Sequence, residues 1–277
     1  MSLEILSFTE SGGYFISECA IAAKLLEARE NLSNGPKFDV HLGTSGGALV
    51  STISLLFSKT SESIERLVYN LNSEIFVKNH FNGSAQVLPS LIAGIFTNKG
   101  IYRQGSGAKE LIENFYSKDF FTKSSTPEVW YLAFNTNNDI GSLNCTKGTS
   151  IFSDHINLDY MKDNGIGEVN YLNGDISVIS DYITASSSIP GFKNPVKIGT
   201  QRYVDGAVAR ASPLSYFNES IIELRNSGSY NGVFHVCYVM SAKLPRTNEQ
   251  QKVSNLNIER HWIKEMIHNT GNVVVSL

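Results

Sequence analysis

The stretch Phe38-Asp39-Val40-His41-Leu42-Gly43-Thr44-Ser45-Gly46-Gly47-Ala48-Leu49-Val50 decides the fold of this chain. The apolar run from Phe38 to Leu42 predicts a buried strand, and an apolar helix is predicted from Gly46 to about Phe57. The turn between them fits the pattern Gly-x-Ser-x-Gly of a nucleophile elbow. Such a turn exposes the Ser45 hydroxyl and points the first N–H groups of the helix at a developing oxyanion. The flanking glycines suit this turn because they let strand and helix pass closely.

The residues before this stretch repeat the same order of elements. Ile5–Phe8 predicts a buried strand that ends in the turn-forming Ser11-Gly12-Gly13. A helix follows, with Ile16, Ala20, Ala23 and Glu27 on one stripe, and it stops at Asn34-Gly35-Pro36. Strand, glycine turn and helix in succession, twice over, predict an α/β fold with a central, mostly parallel sheet flanked by helices.

The remainder of the chain contains no internal repeat, low-complexity tract or long linker, so we expect a single domain over residues 1–277. A mostly helical stretch is expected from Ser61 to Lys118. The elements predicted after it are strands at Val129–Phe134, Ser142–Cys145, Ile151-Phe152, Gln201–Val204 and Val233–Met240, and helices at Ile176–Ser186, Pro213–Arg225 and Ile258–His268.

Composition and charge narrow the class of protein. A net charge of -3 without a basic run argues against a nucleic-acid partner. Cys19, Cys145 and Cys237 have no paired spacing, which favours buried thiols in a reducing, cytoplasmic compartment. The first residues lack the cationic start of a secretory signal, and no run of about 18 apolar residues could span a bilayer. We therefore expect a cytoplasmic protein that meets membranes only peripherally.

One apolar cluster is a candidate for contact with a lipid surface. Within Val87–Phe96, six apolar side chains surround Gly94. An interfacial segment of this kind would bind a membrane or micelle surface through apolar area rather than charge. The same pattern is also typical of an ordinary core helix, so both interpretations stay open at this point.

Two further motifs lie in the second half of the chain. Tyr203-Val204-Asp205-Gly206-Ala207 places a carboxylate at the end of a predicted strand, where α/β sheets build their sites. Ala185-Ser186-Ser187-Ser188-Ile189-Pro190 is a helix end made of small residues and stopped by a proline. Alone, each is an ordinary turn or helix terminus.

Together with the elbow, these motifs resemble the patatin-like phospholipases in order and in spacing, over roughly residues 5–226. The resemblance implies a lipid acyl hydrolase of phospholipase A or lysophospholipase type that needs no metal or other cofactor. It implies Ser45 as nucleophile, Asp205 as its catalytic partner, and a lipid in a membrane or micelle as substrate. Gly12, Gly13 and Gly46 are the implied oxyanion donors. The chain departs from the family's Gly-Gly-Gly-x-Arg/Lys-Gly loop, because Phe15 replaces the basic residue and Ile16 the last glycine.

Other interpretations of the same elbow remain open. An α/β-hydrolase would need a Ser-His-Asp triad, with its base supplied by His235, His261 or His268. Against it, a single strand and helix precede the elbow, and His235 lies in an apolar run typical of a core histidine. A catalytically weak lipid-binding module is the other alternative, and the altered loop is the feature that favours it.

Nucleotide and metal sites are not predicted. Glu10-Ser11-Gly12-Gly13 fits neither Gly-x-x-x-x-Gly-Lys-Ser/Thr nor Gly-x-Gly-x-x-Gly. Asp154, His155 and Asp159 have metal-binding side chains, but their arrangement is more typical of a solvated loop.

Overall fold

A computed structural model describes most of the sheet and the helices that pack on it. The described residues are 2–10, 18–19, 21–23, 25–26, 38–56, 77–79, 102–104, 112–113, 115–151, 166–190, 193–210, 212–228, 233–239 and 274–275. Within these ranges, no helix has both the length and the apolarity that crossing a membrane requires.

The described elements alternate between strands and helices along the chain. The strands are β1 (Ser2–Phe8), β2 (Val40–Thr44), β3 (Val77–Asn79), β4 (Tyr102–Gln104), β5 (Glu128–Asn135), β6 (Ile140–Cys145), β7 (Ile166–Tyr171), β8 (Val196–Ile198), β9 (Gln201–Asp205), β10 (Val233–Val239) and β11 (Val274–Val275). The helices are α1 (Gly46–Ile53), α2 (Lys118–Thr122), α3 (Ile176–Ser186) and α4 (Pro213–Asn226), with 3₁₀ turns at Ser54–Leu56 and Gly206–Val208.

One large sheet organises the fold, in the order β11-β10-β1-β2-β5-β6-β7. The pairs from β11 to β5 and the pair β6-β7 are parallel, whereas β5-β6, β5-β9 and β8-β9 are antiparallel. The prediction of a mostly parallel central sheet flanked by helices is confirmed. The described part of the chain is an α/β domain of that architecture.

The sheet is buried on both faces, as alternation along β5 shows. Val129 and Tyr131 belong to the core that includes residues of α1 and α3. Trp130 and Leu132 face the opposite core, which includes Phe217 of α4. All four of these β5 side chains are fully buried, and each large apolar side chain removed from water contributes about 1.5–3 kcal/mol before entropy is counted. Helices on both faces therefore explain why the central strands are continuous apolar runs.

Several predicted elements agree closely with the described ones. The helix predicted at Ile176–Ser186 has the same bounds in the structure, and α4 extends the predicted helix by one residue to Asn226. The strand predicted at Phe38–Leu42 instead runs from Val40 to Thr44, because Phe38 packs into the core ahead of the ladder. The three cysteines are buried thiols, as expected, and none of them forms a disulfide.

The stretch from Ser61 to Lys118, predicted to be mostly helical, contains two short strands that were not predicted, β3 and β4, which pair as an antiparallel ribbon. Most of its other residues lie outside the described ones. The prediction of a strand at Ile151 is wrong. Ile151 lies in a turn rather than in a strand, where its N–H donates to a Glu128 carboxylate oxygen. Edge strands β7 and β8 were not predicted. The predictions at Phe152, Val87–Phe96 and Ile258–His268 lie outside the described residues.

Candidate active site

The topology of β5 brings the ends of two strands together. Strand β2 runs parallel to β5 and ends with Thr44 opposite Leu132. Strand β9 runs antiparallel to β5 and ends with Asp205 opposite Ala133. Because β6 occupies the other edge of β5, β2 and β9 lie on the same edge and point at each other. Ser45, which follows β2, is therefore placed directly beside Asp205.

Ser45 occupies an unusual backbone conformation at the turn into α1. Its φ of 57° and ψ of -127° lie outside the regions that non-glycine residues ordinarily populate. Such a conformation costs of the order of 1–3 kcal/mol and is typical of functional turns. The Ser45 Oγ donates a hydrogen bond of 2.7 Å to Oδ2 of Asp205. Both side chains are buried, so this contact is largely shielded from water.

Glycines make the close approach of strand and helix at the elbow possible. A Cβ at Gly43 would lie 2.3 Å from the carbonyl oxygen of Gly47, and a Cβ at Gly47 would lie 2.3 Å from that of Thr9. Real Cβ atoms do not come this close, so larger residues would force β1, β2 and α1 apart. The structure thus explains the small residues on both sides of Ser45.

Asp205 is held at both of its carboxylate oxygens. Oδ2 accepts from Ser45, and Oδ1 accepts from the Ala207 N–H at 2.9 Å. Burial raises the pKa of Asp205 from its ordinary value near 3.8 to about 6, although both hydrogen bonds and the charge of Lys193 oppose the shift. A carboxylate with such a pKa is a stronger base than a free aspartate and is still mostly ionised at neutral pH.

Lys193 is the cation next to this carboxylate. Its Nζ lies 3.4 Å from the Oγ of Ser187, and burial lowers its pKa while the charge of Asp205 raises it. Among the described residues, none has a carboxylate within ion-pair distance of this ammonium. Lys193 therefore acts electrostatically on Asp205 without forming a salt bridge with it.

The predicted oxyanion donors are only partly described. Gly46 is the buried first residue of α1, where the N–H groups of a helix precede its own hydrogen-bond ladder. It immediately follows Ser45, so its N–H stays a candidate oxyanion donor. Gly12 and Gly13 lie outside the described residues, as do Phe15 and Ile16.

The described histidines do not contact Ser45. His41 is buried, and its Nδ1 lies 2.8 Å from the Oγ of Ser54; burial lowers its pKa to about 4. The Nδ1 of His235 lies 2.5 Å from a carboxylate oxygen of Glu4. His235 lies in the first half of β10, whereas Val239, at the C-terminal end of this strand, is level with Phe8 and Gly43. Four residues of strand separate it from that end, about 13 Å. His235 is half-buried and hydrogen-bonded to Glu4, rather than the core histidine expected. His261 and His268 lie outside the described residues.

Sequence reasoning missed two residues that surround the pair. Ser186 donates to the Leu132 carbonyl at 2.6 Å and accepts from the Ser45 N–H at 3.0 Å. Lys193 is the second, as described above. The motif around Ala185 signalled the first only as a helix end, and an isolated lysine in a loop carries no sequence signal.

No metal centre is evident in the part of the chain that the structure describes, since no three His, Cys, Asp or Glu side chains cluster there. Asp154, His155 and Asp159 are outside that part.

Residues 12–218, which contain Ser45, Ser186 and Asp205, match the family model of the patatin-like phospholipases. A search of curated proteins gives no significant match to the sequence.

Proposed function

The chain belongs to the patatin-like phospholipase family of lipid acyl hydrolases, and on that premise we propose that it cleaves fatty-acyl esters as a phospholipase A or lysophospholipase through a Ser45-Asp205 dyad. The observation that carries this proposal is the 2.7 Å hydrogen bond from the Ser45 hydroxyl to Asp205. A nucleophile in contact with a buried base is the arrangement that acyl transfer needs.

The first proposed step is acylation of Ser45. The Oγ attacks the ester carbonyl carbon, and its proton passes to Oδ2 of Asp205. The oxyanion accepts hydrogen bonds from backbone N–H groups, for which Gly46 and the Gly12-Gly13 turn are the proposed donors. The tetrahedral intermediate then expels the alcohol part of the lipid, which takes the proton from Asp205. The fatty acyl group remains bound to Ser45 as an ester.

The second proposed step is hydrolysis of that ester. Asp205, ionised again, takes a proton from a water molecule as the water attacks the acyl carbonyl. Collapse of the intermediate releases the fatty acid and returns the proton to Ser45. With its pKa raised to about 6, Asp205 is mostly ionised at neutral pH and can therefore accept the proton.

A substrate panel tests this function. Purified protein and its Ser45→Ala variant are compared on a diacyl phospholipid, a lysophospholipid, a triacylglycerol and a short-chain soluble ester, with free fatty acid as the readout. We expect release from the phospholipid or lysophospholipid by the wild-type protein alone. Equal release by the variant would refute the nucleophile. Binding of phospholipid without any hydrolysis by the wild type would favour the weak lipid-binding module.

Contact with the membrane or micelle surface is proposed to involve Val87–Phe96, within one patatin-like domain that spans residues 1–277. In the same panel, Ile92→Ser and Phe96→Ser should weaken liposome binding and phospholipid hydrolysis while the soluble ester is cleaved at the wild-type rate. Equal losses on both substrates, with a lower melting temperature, would assign these residues to the core instead.

A further inference from the structure

The hydrogen-bond ladder between β2 and β5 ends at Ser45. The backbone N–H of Glu128 donates to the carbonyl of Asp39, and Glu128 lies opposite Val40 in the ladder. In a parallel ladder, the residues that bond a given neighbour recur at every second position. The next bonding residues of β5 are therefore Trp130 and Leu132. Continued regularly, the ladder would pair the Leu132 carbonyl with the N–H of Ser45.

The side chain of Ser186 occupies this rung instead. Its Oγ accepts the N–H of Ser45 at 3.0 Å and donates to the carbonyl of Leu132 at 2.6 Å. The Ser186 side chain is fully buried, which excludes competing bonds to bulk water. A hydroxyl is suited to this rung because it accepts and donates through one small atom.

We propose that Ser186 is a positioning residue for the nucleophile: its hydroxyl replaces one rung of the β2–β5 ladder and thereby holds Ser45 in the conformation that directs Oγ at Asp205. This inference rests on the proposed function of the dyad. A regular rung would draw Ser45 into strand geometry alongside β5. The inserted hydroxyl lets the chain turn away at a φ of 57° without leaving a buried N–H or C=O unpaired.

The residues just after α3 also hold the other member of the pair, Asp205. The N–H of Asp205 donates to the carbonyl of Ser188 at 2.9 Å. Ser45 and Asp205 are thus both hydrogen-bonded to one short segment, through Ser186 and Ser188 respectively. Loss of the Ser186 hydroxyl removes the link to Ser45 and leaves the link to Asp205, so the distance between the reacting atoms should change.

The test compares Ser186→Ala with Ser180→Ala. Ser180 is a matched control, since it is buried in the same helix but its hydroxyl donates to the carbonyl of Ser177 within that helix. On a soluble ester, Ser186→Ala should lower kcat about 10- to 100-fold, as a small misplacement of reacting groups does. KM should change little, and the rate of labelling by a fluorophosphonate should fall with kcat. Ser180→Ala should keep both rates within about twofold.

A conservative variant separates positioning from folding. Ser186→Thr keeps the hydroxyl and should recover at least about a third of the wild-type kcat, although its extra methyl group lowers the melting temperature. Folded Ser186→Ala that is labelled at the wild-type rate would overturn the inference. So would a Thr variant as slow as the Ala variant at equal folded fraction.

The inference and the proposed function fail differently. If Ser45→Ala is inactive and Ser186→Ala has the wild-type kcat, the dyad stands and only the positioning role is lost. If Ser45→Ala is active, the proposed function itself is wrong, whatever Ser186→Ala does.

Discussion

At the scale of single residues, the environment of Asp205 determines how the site should respond to pH. Desolvation raises its pKa to about 6, whereas the Ala207 N–H, the Ser45 hydroxyl and the Lys193 charge all favour its ionised form. The balance leaves a base that is stronger than a free carboxylate and ionised at neutral pH. A histidine is therefore not needed for a proton acceptor with a pKa in this range.

The pH dependence of kcat/KM follows from that balance. Because Asp205 must be ionised to accept the proton, kcat/KM for a soluble ester should rise with pH through an apparent pKa of about 6 and then level off. Lys193→Met should move this rise to higher pH, since the ammonium lowers the pKa of Asp205. Rates are measured at substrate concentrations below KM, where the profile reports the pKa of the free enzyme.

A histidine near its ordinary pKa would give a similar profile, so His235→Gln is the control. We expect the rise and the plateau to be retained in this variant, because His235 pairs with Glu4 at the other end of the sheet. A profile that loses its rise in His235→Gln, with activity about a thousandfold lower, would support the triad instead.

At the scale of elements, the site depends on two strands that end within one residue of each other along β5. Gly206 lies at this junction, where an added Cβ would be 2.1 Å from the carbonyl oxygen of Leu132. That oxygen is the one that Ser186 holds. Strand β9 therefore approaches β5 closely enough for its carboxylate to reach Ser45 because residue 206 has no side chain.

Gly206→Ala should destabilise the protein and slow ester hydrolysis. Because the colliding atom belongs to the backbone, β9 must shift, at a cost near the upper end of overpacking, about 3 kcal/mol in the free energy of unfolding. Urea denaturation measures this cost. Gly228→Ala is the control, since only its φ of 72° opposes a side chain and nothing lies near its Cβ; its cost should be about 1–2 kcal/mol. A Gly206→Ala midpoint no lower than that of Gly228→Ala would contradict this account of the junction.

Elements with a strong local signal were predictable from the sequence, and the others were not. Helix α3 carries apolar residues at helical spacing, an Asp175 N-cap that accepts from the Val178 N–H, and a proline just beyond its end. The ribbon β3-β4 consists of two three-residue strands with one large apolar residue each, so no periodicity marks it. Such short pairs are specified by contacts across the sheet rather than by neighbours along the chain.

The site shows the same division. Ser45 and Asp205 could be proposed because each lies in a short motif with a required backbone geometry. The role of Ser186 could not be derived from the sequence, because it depends on a hydrogen bond from its hydroxyl to the carbonyl of Leu132, a residue 54 positions earlier in the chain. The effect of Lys193 depends in the same way on tertiary structure, which brings its charge near Asp205.

At the scale of the whole molecule, the sheet places the pair at one end of its central strands and buries both faces beneath helices. The apolar environment that raises the pKa of Asp205 is a consequence of that architecture rather than of any one neighbour. The central claim is that Ser45 and Asp205 act as one chemical unit within it, which supports the family's lipid acyl hydrolysis.

The measurement that tests this claim most directly is kcat for a soluble ester in Ser45→Ala, Asp205→Asn and the double variant, each shown to be folded by circular dichroism. Residues that act as a unit have strongly non-additive effects. Each single variant should lose about 10⁴-fold or more, and the double variant should be no slower than the slower single variant. Ester hydrolysis near the wild-type rate in either folded single variant, or losses that multiply in the double variant, would contradict the account.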